Sequence, residues 1–170
     1  MALFGNKQQG KGKDNEFYTL EKDWKNIEQY IPKDKVVWEA FSNGEFEGVN
    51  YLRSICKEVV SHTGDFFDNN EGDIVITNPP FSIKRKVLER LKELEKPFIM
   101  ILPTLSLQTK YMKELFGDAI QVILPSKKLF YYRIIDGEKK IYNKLSWYSC
   151  YVCYKMNLPI MKVSIFNFIK

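Results

Sequence analysis

Asn78-Pro79-Pro80-Phe81 sets an amide, two imino acids and a flat apolar ring side by side, directly after the β-branched run from Asp73 to Thr77. Each proline fixes its own φ and pushes the residue before it into the extended region. The Asn78 side chain and the Asn78 and Pro79 carbonyls are therefore held as hydrogen-bonding groups before any ligand arrives. The run before them reads as a short buried strand that the prolines halt. Four preorganised residues then stand at a strand's carboxyl end, the edge of an open α/β sheet where ligands bind.

These four residues resemble the catalytic Asn/Asp-Pro-Pro-aromatic motif of the amino methyltransferases, which move a methyl group from S-adenosylmethionine to an exocyclic or amide nitrogen. The resemblance implies a role for each. An adenine N6 amine is a weak nucleophile because its lone pair is delocalised into the ring. The Asn78 side-chain oxygen and the Pro79 carbonyl would take its two N–H hydrogens and localise the lone pair towards the sulfonium methyl group. Pro80 would hold the turn, and Phe81 would stack on an extruded base. The alternative reading of the tetrapeptide is a strand-ending turn with no chemistry.

The elements that would position this motif can be followed along the chain. Phe17-Tyr18-Thr19 precedes a helical pattern in which Trp24, Ile27 and Ile31 share a face, with Thr19 as a cap and Pro32 as the stop. Tyr18 and Thr19 resemble the segment that closes over the methionine end of the cofactor; without the resemblance they are an aromatic anchor and a cap. Lys35 to Phe41 reads as the first strand. Glu39-Ala40-Phe41-Ser42-Asn43-Gly44 is similar to the Asp-Pro-Phe-x-Gly-x-Gly cofactor motif, with Glu39 for the acid, Ala40 for proline, Phe41 in register and Gly44 one place early. The resemblance directs Glu39 to the charged amino-acid end of S-adenosylmethionine.

Gly48 to Lys57 reads as a crossover helix and Glu58 to Ser61 as a second strand, followed by Ser61 and His62 where related enzymes carry a ribose-binding acid. Asp65 and Phe66 resemble the pair that holds and packs the cofactor adenine; otherwise they are a turn residue and a core residue. Ser82 to Leu94 reads as a helix with Lys84, Arg85 and Lys86 in its first turn, against the helix dipole. They suit either a phosphate or a solvated face. Strands at Pro97 to Pro103 and Ala119 to Leu124 flank a helix at Gln108 to Phe116. Asp136-Gly137 signals a hairpin between Leu129 to Ile135 and Lys139 to Tyr142. This arm, residues 127–144, carries Lys127, Lys128, Tyr132, Arg133, Lys139 and Lys140. It suits phosphates and unstacked bases, and equally an edge kept soluble by lysines. Ser146 to Lys155 reads as a final antiparallel strand.

The expected fold is therefore α/β and Rossmann-like, similar to the methyltransferases: a mostly parallel central sheet, an antiparallel C-terminal strand, and helices on both faces. The chain has 170 residues, room for one domain. Residues 1–15, rich in Lys, Gln and Gly, read as a flexible basic tail, and 16–170 as the domain. A formal charge of +5 favours a polyanionic partner. No run is long and apolar enough for a membrane span, and no signal-peptide core is visible, which suggests the cytoplasm. Cys150 and Cys153, three apart on a strand, would face opposite ways, so no metal site is expected. The apolar end, 158–169, packs on the core or serves a second copy or partner subunit.

In this order the segments resemble small DNA adenine-N6 methyltransferases of the kind encoded by viruses and phages, which would act in the host-cell cytoplasm. The cofactor implied is S-adenosylmethionine and the partner nucleic acid, with DNA favoured over RNA and recognition short or relaxed. The motif also serves enzymes acting on adenine or guanine in RNA and on protein glutamine. A non-catalytic binding subunit is the competing class.

Overall fold

The computed structural model describes residues 17–42, 46–61 and 64–159. Among them, a six-stranded sheet is built from β2 (Val36–Trp38), β3 (Glu58–Val60), β4 (Ile74–Thr77), β5 (Phe98–Pro103), β6 (Ile120–Ile123) and β9 (Ser149–Tyr154), in the order β3-β2-β4-β5-β9-β6. The pairs β2/β3, β2/β4 and β4/β5 are parallel, whereas β9 runs antiparallel to both β5 and β6. The fold is thus α/β and Rossmann-like, with its one reversed strand inserted next to the edge.

Alternation along the strands creates two apolar layers. Trp38, Val75, Phe98, Met100, Leu102, Cys150 and Val152 point to one face, where Val87, Leu88 and Leu91 of α3 (Lys84–Glu93) and Met112 and Phe116 of α4 (Lys110–Phe116) cover them. Val37, Ile74, Ile76, Ile99, Ile101, Tyr151 and Cys153 point to the other, under Trp24 of α1 (Glu21–Lys25), Ile27, and Leu52 of α2 (Glu47–Ile55). Cys150 and Cys153 lie in different layers, and no group of metal-binding side chains occurs among the described residues. None of the described helices is long and apolar enough to cross a membrane.

A second, three-stranded sheet has the order β1-β7-β8: β1 (Tyr18–Thr19) adds to β7 (Tyr131–Ile135), whose hairpin partner is β8 (Glu138–Tyr142). Its turn is Asp136-Gly137, both at positive φ. Two local expectations change here. Thr19 does not cap α1, because it is spent on the β1 ladder and Leu20 occupies the cap position. Trp147 lies ahead of β9 instead of within a strand. The tail, His62 and residues 160–169 lie outside the described residues.

The turn into β4 sets the register that the site depends on. Asp73 ties β4 to β2 from both sides: its N–H donates to the Val36 carbonyl at 2.8 Å, and its carboxylate accepts the Val36 N–H at 2.9 Å. Gly72 precedes it at φ +60°, and a Cβ there would lie 2.8 Å from the Val36 carbonyl oxygen. Gly72→Ala combines a strained conformation with a backbone clash, so urea titration should show a loss of about 3 kcal/mol.

Candidate active site

Chain order reverses between β2 and β4: the chain leaves β2 for β3 on one side, then returns to β4 and continues to β5 on the other. Such a switch point opens a crevice at the carboxyl ends of the strands. Here it is a cleft of about 330 Å³, walled by the residues that follow β2 and β4, by Phe17 to Thr19 on the β1 side, and by Trp147.

Asn78 occupies the centre. Its Nδ2 donates to the Phe17 carbonyl at 3.0 Å. A carbonyl only accepts, so this bond fixes which end of the amide is which. Asn78 Oδ1 is left buried with no partner among the described residues. An unpaired buried acceptor costs about 1–3 kcal/mol, and one that lines a cleft is placed to take a ligand's donor. Phe81 lines the same cleft, meeting Tyr131 and Trp147 edge-on with ring centroids at 6.4 and 6.3 Å. Lys84 donates to the Phe81 carbonyl at 3.0 Å, bracing the turn from the first residue of α3. Pro79 is buried and Pro80 half-buried, both in the wall.

Glu39 forms the other pole. It follows β2, is only 6% exposed, and accepts from the Thr77 hydroxyl and from the Phe41 N–H at 3.3 Å. Burial pushes its carboxyl up to about 7, and those two hydrogen bonds oppose the rise without cancelling it. Thr19 and Ser42 also line the cleft, and their hydroxyls are buried without partners among the described residues. Phe41, Phe46 and Val49 supply apolar wall, and Tyr18 stacks on Phe46 at 3.9 Å. The cleft therefore joins a carboxyl group with no cation beside it among the described residues, two hydroxyls unsatisfied among them, and aromatic walls. That donor set fits a cationic amino acid joined to a nucleoside.

Some expected residues fall elsewhere. Asp65 is exposed and accepts the N–H of Phe67 at 2.9 Å, closing its own turn. Phe66 is buried against Trp38 and Phe41 at 5.1 and 4.9 Å. Neither lines the cleft, and Phe41, which does, packs on Phe66. Ala40 packs on the core beside them, and Gly44 lies outside the described residues.

The basic arm is also partly committed. Tyr132 is 2% exposed, and its hydroxyl accepts the Glu47 N–H at 3.2 Å. Lys139 pairs with the Glu47 carboxylate and lies over the Tyr132 ring. Tyr132 is closed to a base in this arrangement, and Lys139, though exposed, is engaged at the start of α2. Lys128 donates to the Leu145 carbonyl, and Arg133 lies over Phe17 and Tyr142 at 5.4 and 5.7 Å. Arg85 pairs with Glu89 at 2.8 Å, while Lys127 and Lys140 are exposed.

Sequence reasoning missed Ser42, Phe46, Gly48 and Trp147. For Trp147 the signal was present. A strand antiparallel to its neighbours begins at the edge where they end, so the residues ahead of β9 arrive beside the ends of β4 and β5.

No protein-family model and no curated protein matches the sequence. Among solved structures, a SAM-dependent O-methyltransferase from Thermotoga maritima matches at 12% identity and TM-score 0.42, over 78% of this chain and 64% of its own length, so the chain spans less than two thirds of that protein. A tRNA methyltransferase from Aquifex aeolicus matches at 15% identity and TM-score 0.43, over 79% of this chain and 68% of its own. Precorrin-6y C5,15-methyltransferase from Geobacter metallireducens matches at 13% identity and TM-score 0.42, over 84% of this chain and 97% of its own. Likenesses this loose carry neither residue roles nor an activity over to this chain, and the site stands on its own geometry.

Proposed function

We propose that the protein is an S-adenosylmethionine-dependent methyltransferase acting on the N6 amine of adenine in DNA, with short or relaxed sequence recognition. The observation that carries this reading is the Asn78 amide: its nitrogen is tethered to Phe17, and its oxygen is unpaired beside Pro79 and Phe81. The cofactor, when bound, supplies an electrophilic methyl group on a sulfonium sulfur.

The protein's own residues do the rest. Glu39 receives the ammonium of the cofactor's amino-acid end, and the Thr19 and Ser42 hydroxyls gain partners there. Asn78 Oδ1 and the Pro79 carbonyl accept the two amine hydrogens, which turns the nitrogen lone pair out of the ring plane and towards the methyl group. With the cofactor bound, its sulfonium would give up the methyl group to the nitrogen and leave as a neutral thioether, and the amine proton would pass to solvent, since the Asn78 amide is no base. Phe81 holds the flat face of the base. The exposed Lys127 and Lys140 are left to meet phosphates, and Arg85 would do so by exchanging Glu89 for one.

The test is transfer of a labelled methyl group from S-adenosylmethionine to unmethylated duplex DNA, single-stranded DNA and total RNA. Label recovered as N6-methyladenine from DNA supports the reading. Label in RNA alone reassigns the polymer. Cofactor binding without transfer to any of them points to a peptide substrate or a binding subunit.

A further inference from the structure

One cleft residue has a polar atom that the proposed chemistry leaves unused. Trp147 lines the cleft, and its indole N–H is buried with no partner among the described residues. Its surroundings put it on the Asn78 side. The Trp147 ring lies 5.8 Å from Phe17, the residue whose carbonyl tethers Asn78, and 6.3 Å from Phe81. The same pole thus holds an unpaired acceptor, Asn78 Oδ1, and an unpaired donor, Trp147 Nε1. Indole has a single donor and no acceptor, so only an accepting atom can satisfy it.

We propose that Trp147 is a specificity-determining residue that donates its indole N–H to a ring nitrogen next to the target amine, so that Asn78 and Trp147 together read one edge of adenine. This rests on the adenine reading above. Adenine carries its N6 amine between two ring acceptors, N1 and N7, and an acceptor beside a donor is the complement of either edge. The guanine edge at O6 and N7 shows two acceptors, so Asn78 Oδ1 would face an oxygen there. A site built to hydrogen-bond a group rejects the analogue that lacks it, because its own buried polar atom is left unpaired. The reader is delivered by the reversed strand, which explains its distance in sequence from the tetrapeptide.

The experiment uses the full chain and DNA copied with deoxyadenosine, 7-deazadeoxyadenosine or 1-deazadeoxyadenosine, each assayed with wild type and Trp147→Phe. Phenylalanine keeps an aromatic wall, smaller than indole, and removes the donor. Wild type should lose about tenfold or more in kcat/KM on one of the two deaza substrates, and Trp147→Phe should lose a similar factor on ordinary DNA. On that same deaza substrate the variant should lose no more than about twofold further, because the bond is already gone. Cofactor affinity, measured by calorimetry, should be unchanged in Trp147→Phe, which separates loss of the donor from damage to the fold. Penalties that multiply in the variant, or no penalty from either deaza base, overturn the assignment while leaving adenine methylation standing. No transfer by wild type to ordinary DNA overturns the adenine reading, and the assignment with it.

Discussion

Asn78→Ala is expected to lower methyl transfer by about a thousandfold, near 4 kcal/mol in the barrier, while the chain stays folded. The stability side is unusual for a buried polar deletion. The alanine loses the 3.0 Å bond to the Phe17 carbonyl, but it also removes an oxygen that had no partner among the described residues. Removing a satisfied group and an unsatisfied one together leaves a net change within about 1 kcal/mol. Cofactor affinity should be retained, because Glu39 and not Asn78 forms the charged pole. Asn78→Asp keeps an acceptor and loses the tether, so its rate should fall between the two. Single-turnover transfer, with calorimetry for the cofactor, checks all three. An alanine variant within about tenfold of wild type would remove Asn78 from the chemistry.

Glu39→Gln is expected to weaken cofactor binding by about tenfold to a hundredfold and to remove its pH dependence. In the free protein burial holds this carboxyl near 7, so below neutrality it is largely protonated. A cationic ligand binds the ionised form. Wild-type affinity should therefore fall as pH drops below about 7, approaching tenfold per pH unit, and the glutamine variant should be flat over that range. Stability of the free protein runs the other way. With the folded pKa raised from 4.5 to about 7, the folded state holds a proton that the unfolded chain has released. The group's contribution is complete below about 4.5 and is lost as pH rises through about 7, on the order of 3 kcal/mol. Glu39→Gln should erase that loss, giving a variant more stable than wild type at neutral pH and worse at binding. Equal pH dependence in the two proteins would show that Glu39 does not meet the cation.

What was legible in the sequence was local. The β-branched run into two prolines placed β4 and its end, Asp136-Gly137 placed the hairpin, and two-residue periodicity put Cys150 and Cys153 on opposite faces. Each rests on neighbours within a few residues. What was illegible depended on partners far along the chain. Tyr132 reads as a stacking surface until Glu47, 85 residues earlier, caps its hydroxyl. Thr19 reads as a cap until β7 takes its backbone. Asp65 and Phe66 match a cofactor pair by order, but order does not say that Phe41 packs between Phe66 and the cleft or that Asp65 closes its own turn. Trp147 carries no motif. Its place follows only from the direction of β9.

That reversed strand has a consequence for how the protein comes into being. Residues 149–154 supply the only ladder partner of β6 among the described strands and cover the open side of β5, and the segment just ahead of them closes the cleft. A ribosome delivers the tetrapeptide some 65–70 residues before the Trp147 wall, which stands at the far end of a long loop whose closure must be met before any reward. Until then β5 is an apolar strand with one side unclaimed, the kind of edge that pairs with other chains. Nascent copies that stop between the two are thus the form most exposed to edge pairing, and the last wall of the cleft and the cover of β5 arrive together with residues 147–154.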